Sequence, residues 1–240
     1  MTRINEFGQE IGSPLPHWQS AETPTRQTLE GRYCRVEPVD PDRHLDWLFE
    51  AFSLDTDARH WTYLPYGPFL SKDDFRSWME ATCLDNDPRF YAIVDAVLGR
   101  AVGLASYLRI APRTGSIEVG HLRFSSLLQQ RRAATEAMFL MMANAFALGY
   151  RRYEWKCDSP NAPSRAAAER LGFRFEGRFR QHTVTKARNR DTDWFSILDT
   201  EWPALRTAFE GWLDPANFDT AGNQRTSLSE LTRAARSTLA

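Results

Sequence analysis

The chain has 240 residues, 42% of them hydrophobic and 25% charged, with 30 basic residues against 31 acidic ones for a net charge of −1. That balance suits a globular protein with a conventional core and argues against a general nucleic-acid or membrane-surface role, which needs a marked basic excess. The three cysteines, Cys34, Cys83 and Cys157, are too few and too widely spaced for a disulfide framework or a metal site, and they fit a reducing cytoplasm.

Residues 1–26 contain scattered Gly and Pro and no sustained period. They read as an irregular arm, either packed through Leu15 and Trp18 on the domain or a second subunit, or disordered. The arm lacks the apolar run of a signal peptide, and no segment reaches the ~20 residues of a membrane span. Residues 27–39 read as a first strand. Pro41 opens a helix with Leu45, Leu48, Phe49 and Phe52 on one face. The aromatic, proline-broken stretch 60–69 is a loop, and Ser71 caps a second helix that presents Phe75, Trp78 and Met79. Trp61, Tyr63, Tyr66, Phe69 and Trp78 either wall a ligand site or form ordinary core.

Residues 90–97 and 102–110 pair about a turn at Leu98-Gly99-Arg100. After a turn at 112–115 comes a strand over 116–124. Simple alternation puts Ile117, Val119, His121 and Arg123 on one of its faces and Glu118, Gly120, Leu122 and Phe124 on the other. A polar turn leads into a helix striped by Ala134, Met138, Met141, Ala145 and Leu148 and closed by Gly149. A strand over 150–158 completes a βαβ unit with parallel strands. Then follow a helix at 161–171 ended by Gly172, a hairpin of 173–184 with 193–198 whose tip is 186–191, and a helix over 201–213 with Trp202, Leu205, Phe209 and Trp212 on one side. A turn-rich linker, 214–225, precedes a short polar helix begun by Ser227, expected to add little to the core. The chain thus divides into an arm (1–26), one α/β domain (27–213) and a C-terminal appendage (214–240).

The joint between the 116–124 strand and its helix carries chemical information. Arg131 and Arg132 add positive charge where the helix dipole is already positive, and the free N–H groups of the first turn point outward. An arriving phosphate or pyrophosphate would use both, and Ala133 and Ala134 leave it room. The competing reading makes Ser126-Leu127-Leu128-Gln129 a capping box, with 130–132 a solvated face.

The run Gln129-Gln130-Arg131-Arg132-Ala133-Ala134-Thr135-Glu136-Ala137 resembles the acyl-CoA pyrophosphate loop of the GNAT (GCN5-related) N-acetyltransferases, Gln/Arg-x-x-Gly-x-Gly/Ala, with Arg132 where the family usually has glycine. Asn161-Ala162-Pro163-Ser164, Arg170-Leu171-Gly172-Phe173 and Glu176-Gly177 are similar to the corresponding run of the RimJ/RimL-type branch, which acetylates ribosomal-protein N-termini; a glutamate of that branch is replaced by Thr183. The resemblance implies a mixed, mostly antiparallel sheet of about seven strands with a central parallel βαβ splay and helices on both faces. It also implies acetyl-CoA as donor and, as acceptor, the primary amine of a protein N-terminus or small molecule, attacking directly in a ternary complex, alone or as a homodimer. The alternative is a catalytically inactive CoA-binding interaction protein of the same fold.

In that frame the pantetheine arm would lie in the splay against the backbone of Leu122, Arg123 and Phe124, where an N–H would polarise the thioester carbonyl. The pyrophosphate would meet Gln129, Gln130, Arg131, Arg132, Ala133, Ala134 and Thr135. Asn161 would bond the pantetheine amides or simply cap its helix; Ser164 would protonate or hydrogen-bond the leaving sulfur; Arg165 would reach a CoA phosphate. Glu118 is the first candidate base, although it reads equally as half of a cross-strand salt bridge on a solvated face. The alternative base is His182, whose ordinary pKa of ~6.5 suits the task.

Overall fold

The computed structural model describes residues 3–237. The arm opens with a small antiparallel ribbon, β1 (Arg3–Ile4) with β2 (Glu10–Ile11). Its later part is docked rather than disordered. The Ala21 and Glu22 N–H groups donate to the Pro112 and Leu148 carbonyls at 3.1 and 2.8 Å, and Trp18 lies so close to Gly115 that a Cβ there would come within 2.3 Å of its ring.

The main sheet has eight strands, not seven. The extra one arises because 27–39 turns at Gly31, leaving β3 (Leu29–Glu30) paired back on β4 (Cys34–Pro38). The turn is held from outside: the Glu136 carboxylate accepts the Arg32, Tyr33 and Cys34 N–H groups at 2.9, 2.5 and 2.8 Å. A Cβ at Gly31 would sit 2.5 Å from that carboxylate, so the position requires glycine. The remaining strands are β5 (Arg89–Asp95), β6 (Ala101–Ala111), β7 (Ser116–Phe124), β8 (Arg152–Asp158), β9 (Arg174–Thr185) and β10 (Arg188–Leu198), in the order β3-β4-β5-β6-β7-β8-β10-β9. Only β7 and β8 are parallel.

Helices cover both faces. On one side α1 (Pro41–Ser53) and α2 (Lys72–Thr82) start from side-chain caps on Asp40 and Ser71. They enclose an aromatic layer that includes Phe52, Trp61, Phe75 and Phe90. On the other side α3 (Arg132–Ala147), α4 (Ala162–Arg170) and α5 (Trp202–Leu213) pack on Ile117, Val119, Tyr153, Trp155 and Phe195. The final helix, α6 (Leu228–Ser237), joins this second core, contrary to expectation. Leu228 is fully buried, and Thr232 and Arg236 donate to the Arg170 and Phe173 carbonyls, each at 3.2 Å.

The β9–β10 tip is only two residues long. Lys186 and Ala187 both take left-handed φ, 50° and 57°, as a tight hairpin turn with the right twist demands. The residues from Arg188 onward, expected in the tip, therefore belong to β10.

Candidate active site

Parallel pairing between β7 and β8 runs only from Ser116↔Arg152 to Val119↔Trp155. Beyond it β7 continues to Phe124 beside β6, and β8 to Asp158 beside β10. The two strands splay, and the edge of β7 beyond Val119 faces a gap. A bulge sits at the fork: Leu104↔Arg123 and Ser106↔Gly120 bracket two residues of β7 against one of β6, with His121 at φ 52°. The extra residue overturns the simple alternation. Ile117 and Val119 face α3, but His121 and Arg123 turn to the opposite face, that of Glu118, while Leu122 and Phe124 lean on the α3 side. The His121 ring lies on Tyr66 and Phe90, with centroids 5.6 and 4.9 Å away. The Arg123 guanidinium stacks between Phe52 and Trp61 at 4.5 and 4.6 Å and pairs with Asp55. The Arg123 side chain is thus committed to the α1–α2 layer, which leaves only its backbone for a ligand in the gap.

Glu118 is buried, 4% exposed, rather than solvated. It sits directly opposite Glu154 in the parallel register, and two facing carboxylates repel. Lys156 resolves the conflict by bonding both at 2.8 Å, and Arg109 from β6 adds a second 2.8 Å bond to Glu118. Arg152 continues the ladder from Glu154, at 2.6 Å, to Glu176. Both cations reach Oε2 of Glu118, so Oε1 is left without a hydrogen-bond partner among the described residues. Burial pushes the carboxyl above its ordinary range while Lys156 and Arg109 pull it back, and burial wins. A carboxyl whose proton affinity is raised in this way is suited to taking a proton from a bound group.

The hairpin folds across this face. Lys186 Nζ donates to the Trp61 and Gly67 carbonyls at 2.9 and 2.7 Å, and Arg188 to the Thr62 carbonyl at 2.6 Å. The docking brings His182 into one cavity with Lys156 and Arg109, the two cations that hold Glu118. The His182 Nδ1 is 3.0 Å from the Thr192 hydroxyl. Of the aromatic cluster, Trp61, Phe69 and Trp78 belong to the core, whereas Tyr63 reaches across to the Pro160 carbonyl at 3.3 Å. Two buried polar atoms at the bulge, the Tyr66 hydroxyl and His121 Nδ1, have no protein partner, a pattern suited to a bound polar molecule. Burial also drives the His121 pKa down to about 4, so the ring is neutral at pH 7.

The two helix starts at the mouth of the gap differ. At α3, Arg131 occupies the cap position and no side chain caps the turn. The capping box is not used: the Gln129 amide instead donates to the Phe124 carbonyl at 2.9 Å, Leu128 is buried against Gly103, and Gln130 adopts φ 59°. Arg131 is exposed, with Ala133, Ala134 and Thr135 on the first two turns behind it. The Arg132 guanidinium lies 3.6 Å over Phe218, so its side chain is spent on the 214–225 segment. At α4, Asn161 does cap, accepting the Ser164 N–H at 3.2 Å. The Ser164 hydroxyl accepts from Trp155 Nε1 at 3.1 Å and is turned toward the Cys157 thiol as a donor. Arg165 is held by buried Asp193, 3.1 Å away, rather than standing free for a phosphate.

The acetyltransferase (GNAT) domain profile matches residues 35–174. A crystal structure of a GCN5-related N-acetyltransferase from Brucella melitensis superposes with a TM-score of 0.89 at 47% identity, over 91% of this chain and 100% of that one. The chain belongs to the GNAT acetyltransferase family. A probable acetyltransferase of this family from Chromobacterium violaceum gives 0.76 at 45% identity, over 81% and 98% of the two chains. RimL, the ribosomal L7/L12 α-N-protein acetyltransferase, shares the fold at 15% identity, with a TM-score of 0.58 over 72% of this chain and 94% of its own. No curated protein matches. Among the described residues, no cluster of metal-ligating side chains occurs and no helix is long and apolar enough to cross a membrane.

Sequence reasoning missed Lys156 and Arg109. The signal for Lys156 was present. Once 116–124 and 150–158 are taken as parallel neighbours, the alternating Glu154 and Lys156 fall beside Glu118 on one face. Arg109 gave no such signal, because its reach depends on a bulge in β6, where it takes φ 47°.

Proposed function

We propose that this GNAT-family chain transfers the acetyl group of acetyl-CoA to a primary amine, by direct attack in a ternary complex. The observation that carries the reading is the splay beyond Val119, with a buried carboxylate at its fork that keeps one oxygen free. Acetyl-CoA would thread the gap along the β7 edge, its pyrophosphate against the uncapped first turn of α3 and Arg131. The amine nitrogen attacks the thioester carbonyl carbon and the C–S bond breaks. The nitrogen's surplus proton passes to Glu118 Oε1, directly or through one water. The departing thiolate takes a proton through the Ser164 hydroxyl, which Trp155 holds in place from its acceptor side; the serine regains that proton from water as Glu118 releases the amine's proton to solvent. Ser164 and His182 on the two walls, and the bonded Asn161, complete the site we assign. A protein N-terminus and a small-molecule amine both suit this chemistry, and a cytoplasmic setting suits the three buried thiols.

Two measurements test the reading together. Titration calorimetry should show acetyl-CoA binding, and a thiol-release assay across an amine panel should show amine-dependent CoA release. Binding without release supports an inactive CoA-binding protein; no binding contradicts the reading altogether.

A further inference from the structure

Beside Glu118 lies a cavity of about 240 Å³ lined by Arg109, Lys156, His182, Thr183, Arg190 and Thr192. That is room for about eight waters at their liquid volume of roughly 30 Å³, a small molecule's worth. Three lining residues are cations and none is a carboxylate. Arg109 and Lys156 are neutralised by Glu118 and Glu154. Arg190 is not. Its only hydrogen-bond partner among the described residues is the Thr192 hydroxyl at 3.2 Å, and it has no carboxylate within ion-pair distance. It senses Asp158 only through space. The hairpin that carries Arg190 is pinned by Lys186 and Arg188 to the 61–67 loop, so the guanidinium stays over the cavity.

This arrangement is a poor receptor for a simple amine. A protonated amine approaching Glu118 through these residues meets like charge, and a half-buried unpaired guanidinium is itself unfavourable. Both penalties vanish if the acceptor brings its own anion. Resting on the acetyl-transfer reading above, we propose that the acceptor is a small amino carboxylate, its amine directed to Glu118 Oε1 and its carboxylate held by Arg190. The planar fork of a guanidinium matches a carboxylate in two parallel bonds, and the Thr183 and Thr192 hydroxyls can supply further hydrogen bonds. The pinned hairpin favours a small molecule over an extended peptide, because the cavity is bounded on that side by docked backbone.

The test compares the common amino acids with their carboxamides and decarboxylated amines in the thiol-release assay, with short acidic peptides as a further arm. At least one amino carboxylate should exceed its own carboxamide tenfold or more in kcat/KM. Arg190→Gln should raise the KM of that amine tenfold or more and abolish the preference, while the KM for acetyl-CoA, which also reports correct folding, stays within twofold. Arg190→Lys should recover part of the loss. Equal use of carboxylate and carboxamide, an unchanged amine KM in Arg190→Gln, or peptides outperforming every amino acid would overturn the proposal. Acetyl-CoA binding with no transfer to any amine would instead overturn the acetyl-transfer reading on which it rests.

Discussion

One face of the sheet is divided at β7 into halves of opposite character. Over β4–β6 lies an aromatic layer, with Phe52 edge-on to Trp61 at 5.6 Å and to Phe75 at 6.0 Å. From β7 across β8 to β9 the same face carries the ladder Arg109–Glu118–Lys156–Glu154–Arg152–Glu176, with Arg109 reaching in from β6. In the first half the Arg123 guanidinium is enclosed by Asp55 and two rings. In the second half charges are shared in a chain, so one can change its protonation state without abandoning a lone partner. Glu118 stands at the boundary. It draws burial from one side and cations from the other, the combination a general base needs.

The largest expected effects fall on stability. Phe75→Ala should cost about 3–5 kcal/mol through the cavity it leaves. Lys156→Met should cost a similar 3–5 kcal/mol, because it leaves Glu118 and Glu154 opposed and buried. The halves differ in how the loss is repaired. Adding Glu118→Gln to Lys156→Met should regain much of it, while adding it to Phe75→Ala should regain nothing, as read by denaturant unfolding. The same response in both backgrounds would erase the distinction drawn here.

Next comes the boundary itself. His121 is held at about 4 in the folded chain, against an ordinary ~6.5. The unfolded chain therefore takes up the proton first, so this residue's contribution to stability declines as pH falls from about 6.5 and levels off below about 4. The loss is at most about 3 kcal/mol. Glu118, raised by burial, works in the opposite sense. Asparagine tolerates left-handed φ, so His121→Asn should keep the bulge and flatten the acid limb of the stability profile. An unchanged slope would mean the ring is not desolvated. A smaller effect is expected at the mouth of the gap. Arg131→Glu should weaken acetyl-CoA binding tenfold or more, since a charge-assisted phosphate bond is worth roughly 1.5–3 kcal/mol. Arg132→Glu, whose side chain lies on Phe218, should weaken it less. Calorimetry that ranks the two the other way would refute this division of labour.

The sequence made the βαβ unit legible because its signals are local: a four-and-three apolar stripe, a closing glycine, and strands bounded by turns. The start of α3 was harder. Ser126 to Gln129 has the composition of a capping box, yet Leu128 is drawn into the core and the Gln129 amide back to Phe124, a choice made by tertiary contacts. The faces of β7 were misjudged beyond Gly120 because one inserted residue reverses the alternation, and nothing in His121 announces a bulge. Glu118 was found from its place on the strand, but its environment was not. Arg109, Lys156 and Arg190 come from three different strands, and only the register of the sheet and the docking of the hairpin bring them together. For the same reason Arg132 and Arg165 promised more in the sequence than their partners Phe218 and Asp193 leave them.

The central claim is that Glu118 takes the amine's proton. Glu118→Gln preserves shape and one hydrogen-bonding oxygen while removing basicity. The decisive measurement is the pH profile of kcat for this variant beside the parent chain, with acetyl-CoA affinity measured on both. The account predicts a kcat lower by ~10²-fold or more at neutral pH, intact acetyl-CoA binding, and a deficit that shrinks as pH rises and free amine becomes plentiful. A Glu118→Gln chain with near-parental kcat at neutral pH would contradict it, and a matching collapse in His182→Ala would move the base to the hairpin.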